Sequence, residues 1–206
     1  MTRVKICGIT GPEDAALAIE AGAHALGFNF VSGTPRCLAP EIAGAIIAGL
    51  PPFVAAVGVF LDQPLEHVLR VAALAGVGAV QLHGAEGTEY ARRIPLKVIK
   101  AIAVGDPAAL AAMAGYPAHA FLLDSHRTGQ AGGTGQTFPW GVALEARRHG
   151  RIVLAGGLTP ANVGEAVRRV RPFAVDVASG VERSPGRKDP QKVREFIDAV
   201  RRADAN

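Results

Sequence analysis

Val4-Lys5-Ile6-Cys7-Gly8-Ile9-Thr10-Gly11-Pro12 decides the fold of this chain. Val4 and Ile6 form a short β-branched run that carries a thiol to its far end. Gly8 and Gly11 mark a turn, and Pro12, followed by the acids Glu13 and Asp14, opens a helix. The glycines do not fit the G-x-G-x-x-G spacing expected after the first strand of a doubly wound dinucleotide-binding sheet. The unit is a strand that delivers Cys7 to its C-terminal tip, then a turn, then a helix. In parallel α/β proteins the strand tips are where chemistry is done, which makes Cys7 a candidate catalytic base.

The same unit recurs to the end of the sequence. Strands are expected at residues 3–7, 25–30, 53–60, 79–82, 97–102, 119–123, 152–154 and 174–177. Helices are expected at 12–20, 40–50, 64–75, 86–93, 107–114, 139–148, 160–169 and 190–202, six after the first opened by proline. Eight βα units with no shift in composition predict one compact (β/α)8 TIM barrel over residues 1–206. A doubly wound open sheet is the runner-up, and it lacks its fingerprint.

Nearly half of the 206 residues are apolar, enough for a substantial core. No apolar run approaches the roughly 18 residues of a membrane span, and a strand beginning at Arg3 leaves no place for a secretory leader. Two cysteines, Cys7 and Cys37, make no disulfide framework, so a cytoplasmic protein is expected. The net charge of +4 has two readings. Either nucleic acid or a membrane is the partner, or the arginines at 147, 148, 151, 168, 169, 171, 201 and 202 lie on solvated helix faces and ends. Without interleaved aromatics or a binding motif the second is preferred, and a basic surface would also steer an anionic substrate.

Further polar groups follow the later strands. Asp124 ends an apolar strand and precedes a glycine-rich stretch, 129–135, that includes Gly133 and could close as a lid. A partly desolvated carboxyl there suits a general acid; its alternative is a turn cap. Gly156-Gly157 after the seventh strand and Ser179-Gly180 after the eighth would let backbone N–H groups approach a phosphate. Arg36, after the second strand, is either a solvated loop residue or a fork for a substrate carboxylate. His83, after the fourth, either touches substrate and tunes Cys7 or is a structural hydrogen-bonder. Period two places Lys5 on the face of Cys7, inside the barrel, where a buried ammonium needs a partner. Asp176 on the neighbouring eighth strand is the candidate, so a Lys5–Asp176 ion pair is expected under the site. No metal-ligand spacing and no dinucleotide fingerprint is present, so no cofactor is inferred.

These motifs resemble those of the phosphoribosylanthranilate isomerase family of tryptophan biosynthesis along essentially the whole chain. The matching segments include 4–10, Gly58-Val59-Phe60, Gln81-Leu82-His83-Gly84, Leu122-Leu123-Asp124 with Gly133-Thr134-Gly135, 155–163 and 171–182, running into Pro185-Gly186 and Lys188-Asp189. The resemblance implies an Amadori rearrangement of N-(5-phosphoribosyl)anthranilate, with Cys7 as general base, Asp124 as general acid and Arg36 on the anthranilate carboxylate. It also implies a small phosphorylated substrate; a monomer or a homodimer is expected. Residues 32–38 depart from the family pattern, with Cys37 where an aromatic is common. The rival readings are another phosphosugar barrel enzyme, such as an epimerase or synthase, and a binding module for phosphorylated ligands or nucleic acid.

Overall fold

The computed structural model describes residues 1–104, 110–125 and 140–205. Eight parallel strands close into a barrel in sequence order: β1 (Arg3–Cys7), β2 (Ala25–Asn29), β3 (Ala55–Phe60), β4 (Ala79–Leu82), β5 (Lys97–Ala103), β6 (Ala120–Asp124), β7 (Ile152–Leu154) and β8 (Ala174–Val177). Closure is made by β1 against β8, with Lys5 opposite Asp176. An open doubly wound sheet is thereby excluded.

The helices between strands are α1 (Pro12–Ala21), α2 (Pro40–Ala48), α3 (Leu65–Ala75), α4 (Thr88–Arg92), α5 (Gly141–Ala146), α6 (Val163–Val170) and α7 (Pro190–Asp204). Proline stands in the first turn of α1, α2 and α7, where its missing N–H costs nothing. Asp189 adds a side-chain cap to α7, accepting from the N–H groups of Gln191 and Lys192. The helix expected at 107–114 lies partly outside the described residues.

Two layers of packing result. Alternate strand residues feed a large core between sheet and helices, including Ile6, Leu26, Phe28, Phe60, Leu82 and Phe121. The other strand faces fill the barrel, where Ala101, Ala120, Leu122, Val153, Ala155 and Ala174 make a small apolar cluster on the β5–β8 side. At the strand entrances two histidines do the same job: His24 Nδ1 accepts from the N–H of Val4, and His119 Nδ1 from that of Val98, both at 3.1 Å.

Several expected boundaries shift by a few residues, three of them for a plain physical reason. β3 starts at Ala55 rather than Phe53, because Pro51 and Pro52 hold a turn closed by Val54 N–H on the Pro51 carbonyl. The Phe53 ring is left in solvent. α4 starts at Thr88, since Glu86 turns inward to Lys100 instead of opening the helix. α6 starts at Val163, because the Asn162 side chain accepts from Thr159 N–H (2.8 Å) and donates to the Gly157 carbonyl (2.9 Å), so residues 159–162 form a turn.

After β8 comes a 3-10 turn, Ser179–Val181, and then an antiparallel hairpin, β9 (Glu182–Ser184) with β10 (Arg187–Lys188). The eight-unit reading contains no such hairpin. Pro185-Gly186 at its tip is an ordinary turn signal, with Gly186 at φ 79°.

Candidate active site

A cavity of about 330 Å³ opens at the C-terminal ends of the strands. Cys7, Arg36, His83, Asp124, Gly156, Gly157, Asp176, Ser179 and Gly180 all line it. Nine of the ten residues singled out from sequence thus converge from six loops or strand ends. The tenth, Gly133, lies outside the described residues, as does the lid expected around it.

The floor is charged. Lys5 Nζ donates to Asp176 Oδ1 at 2.8 Å, and both side chains are buried. Burial opposes the charge on Lys5, but Asp176 and then Cys7 outweigh it and hold the ammonium above its ordinary value. Cys7 sits beside it on the same strand face. Gly27 on β2 makes the room: a Cβ there would lie 2.6 Å from Cys7 Sγ and 3.0 Å from Lys5 Nζ. Burial pushes the Cys7 thiol up, and the lysines at 5 and 188 only partly offset it. The environment of the free site therefore favours the thiol form of Cys7 more than water does.

A second charged group fastens the loops on the Cys7 side. Arg36 donates through Nε (2.8 Å) and Nη2 (2.6 Å) to the two oxygens of Glu182, a bidentate clamp that fixes the plane of the guanidinium. This commits two of its five N–H groups and leaves the rest of the fork to the cavity it lines. Lys188, fully buried, donates to Glu182 (2.9 Å), to the Cys7 carbonyl (2.6 Å) and to the Ala178 carbonyl (3.3 Å). Burial opposes the charge on Glu182, but Arg36 and Lys188 overcome it and keep the carboxyl below its ordinary value. For Lys188 burial wins and the ammonium is pulled down, despite Glu182. Glu182 and Lys188 stand in segments that carry the family resemblance, but the sequence assigns neither a role.

Opposite, Asp124 is the last residue of β6, paired in register with Ala103, and its Oδ2 lies 3.5 Å from His83 Nε2. His83 in turn takes Gln81 at its other nitrogen, 3.2 Å away. Between these walls the loop after β7 turns through Gly156 and Gly157, both at positive φ (74° and 66°). The loop after β8 presses against it so closely that a Cβ on Gly180 would fall 1.9 Å from the Leu158 carbonyl oxygen. Such backbone proximity, with no side chains in the way, suits a tetrahedral anion held by N–H groups. Among the described residues no cluster of three or more His, Cys, Asp and Glu side chains is placed to hold a metal, and no helix is long and apolar enough to cross a membrane.

One family's sequence pattern, that of N-(5'-phosphoribosyl)anthranilate (PRA) isomerase, matches residues 4–199. The chain belongs to this family. The PRA isomerase of Geobacter sp. (strain M21) is 53% identical over 197 residues, covering 96% of this chain and 97% of its own. The crystal structure of the Thermotoga maritima phosphoribosyl anthranilate isomerase superposes with a TM-score of 0.91 at 45% identity, over 98% of this chain and 99% of that one. A further phosphoribosyl anthranilate isomerase, crystallised in complex with reduced 1-(o-carboxyphenylamino)-1-deoxyribulose 5-phosphate, gives 0.88 at 43% identity, with the same coverage. The TM-scores and the closed barrel agree on the PRA isomerase fold.

Proposed function

We propose that the protein is a phosphoribosylanthranilate isomerase of tryptophan biosynthesis, a cytoplasmic catalyst in which residues 1–206 act as one barrel, alone or as a homodimer. It converts N-(5-phosphoribosyl)anthranilate to 1-(2-carboxyphenylamino)-1-deoxyribulose 5-phosphate. The observation that carries the reading is that Cys7 and Asp124 open onto the same cavity as an anion-sized backbone cradle and a clamped arginine.

The cradle of residues 156–158 and 179–180 takes the phosphate, and the outer edge of Arg36 takes the anthranilate carboxylate. The ribose then spans the space between Cys7 and Asp124. Asp124 gives its proton to the ring oxygen as the C1′–O bond breaks, and the anthranilate nitrogen lone pair forms the C1′=N bond of a cationic Schiff base. That cation acidifies the C2′ proton, and Cys7 as thiolate removes it. The electron pair left behind becomes the C1′=C2′ bond of an enolamine, which tautomerises to the ketone. No electrons enter or leave overall.

The raised Cys7 pKa fits this sequence. The thiol needs the base form only once a positive iminium lies beside it, and that charge, with Lys5, favours the thiolate. Disappearance of freshly made phosphoribosylanthranilate, followed by its fluorescence, tests the reading. Cys7→Ser and Asp124→Asn are each expected to lower kcat by about 10²–10⁴, the usual worth of a positioned acid or base, with phosphate binding retained. Near-normal turnover in Cys7→Ser would remove the base assignment.

A further inference from the structure

Gln81 lies inside the barrel on β4 and is 2% exposed. Its side chain forms part of the cavity wall. The Nε2 amide is 3.2 Å from Nδ1 of His83, two residues along on the same strand face. The carbonyl oxygen, Oε1, is buried and has no hydrogen-bond partner among the described residues. Buried amide carbonyls are nearly always paired, because an unpaired one forfeits its water without compensation. An acceptor left open in the wall of a substrate cavity is explained if the substrate completes it.

We propose that Gln81 is a substrate-positioning residue: its N–H fixes the tautomer of His83 while its Oε1 accepts a hydrogen bond from a ribose hydroxyl. The inference rests on the isomerase reading above. A ring nitrogen that receives an N–H must carry a lone pair, so Nδ1 is the acceptor and the proton of neutral His83 sits on Nε2. Nε2 is the atom 3.5 Å from Asp124 Oδ2. An N–H aimed there gains strength as Asp124 passes its proton to the sugar and becomes a carboxylate. His83 is thereby held in the tautomer that favours proton donation by Asp124.

The choice of a hydroxyl follows from the substrate's own groups. A carbonyl oxygen repels phosphate and carboxylate, which excludes both ends of the molecule. The anthranilate N–H is ortho to its own carboxylate and bonds to it internally. The sugar hydroxyls are the donors that remain, and the ribose is the part that lies between Cys7 and Asp124.

Gln81→Leu is the deciding variant, with Gln81→Met as a second of similar volume. Both delete an acceptor that is unsatisfied in the free protein, so the melting temperature is expected to hold or rise. Meanwhile kcat/KM should fall about 10- to 100-fold, the loss that accompanies one buried hydrogen bond to substrate. Gln81→Glu keeps an acceptor but loses the N–H, and should depress kcat with KM nearly unchanged. In 15N spectra of histidine-labelled protein, His83 should be Nε2-protonated in the parent and a tautomer mixture in Gln81→Leu. Parent-like kcat/KM in both apolar variants would overturn the proposal, as would activity and melting temperature falling together in both, which is the mark of simple packing. Failure of the parent protein to consume phosphoribosylanthranilate would instead remove the isomerase reading, and this inference with it.

Discussion

Two buried lysine–carboxylate pairs of nearly the same length sit on opposite sides of the sheet. Lys5 meets Asp176 at 2.8 Å inside the barrel, and Lys100 meets Glu86 at 2.7 Å in the layer outside it. Their surroundings differ. Glu86 also accepts from the backbone N–H groups of Asp62 and Gly84, both at 2.9 Å, while Lys100 reaches the Gly84 carbonyl. The Tyr116 hydroxyl donates to the Glu86 carbonyl at 2.9 Å. That pair is surrounded by backbone and ties the loops after β3 and β4 together. The pair at Lys5 instead lies under a thiol at an open cavity. An ion pair saturated by backbone groups acts as a fastener, whereas one facing a cavity sets the charge felt by whatever enters.

The contrast can be broken experimentally, and the largest effect is expected at Lys5. Lys5→Met removes the cation that favours the Cys7 thiolate, so the thiol titrates at still higher pH. In the proposed mechanism the active form is the thiolate, so kcat/KM is expected to rise with pH through the thiol's pKa. In the variant this limb should move to the alkaline side, and activity near neutrality should drop by about 10²-fold or more. An unmoved limb would mean that Lys5 does not govern the thiol.

Glu86→Gln should act chiefly on stability. It strands Lys100 as an uncompensated buried charge, which costs about 3–5 kcal/mol by the midpoint of denaturant unfolding. The pH limb of activity should stay where it is, since Glu86 is not among the groups acting on Cys7. The smallest effect is expected from replacing both partners, Glu86→Leu with Lys100→Met. Removing the two charges together leaves neither stranded, so stability should return to within about 1–2 kcal/mol of the parent. A double variant as unstable as the single one would show that the backbone bonds, rather than the ion pair, hold these loops.

The same contrast explains what the sequence shows and what it hides. Alternation along Arg3–Cys7 puts Lys5 inward, and barrel closure puts β8 beside β1, so Lys5–Asp176 follows from period two and topology alone. Cys7, Asp124 and the glycines at 156, 157 and 180 are legible because strand tips in a parallel barrel share one mouth, whereas Arg36 is ambiguous by position and stands out only through the family resemblance. Glu86 is not, because an acid just past a strand, ahead of a helical stretch, looks like a helix opener until its backbone partners are seen. Glu182 and Lys188 fall within the segments that carry the family resemblance, but what they touch is hidden for a related reason. Charges flanking Pro185-Gly186 suggest a solvent-exposed turn, and only the folded hairpin shows that Lys188 is buried against the Cys7 carbonyl. Gln81 is visible only as a member of the Gln81-Leu82-His83-Gly84 segment, because its significance is an unpaired atom, which no residue pattern records.

The hairpin β9–β10 has a consequence for when activity begins. Lys188 holds the carbonyl of Cys7, Thr10 Oγ1 donates to the Gly186 carbonyl at 2.6 Å, and Asp176 balances Lys5. Every one of these ties joins the first ten residues to the segment 176–188. During synthesis, then, the thiol waits for residues 176–188 before it meets the ammonium's counterion, the arginine's clamp and the second half of the anion cradle. Chains that stop short of the eighth strand should carry the cysteine as an ordinary thiol, open to alkylation, and acquire its protection in one step when the seam closes. Assembly of the site is thus completed by the eighth strand and its hairpin, although Cys7 stands on the first strand.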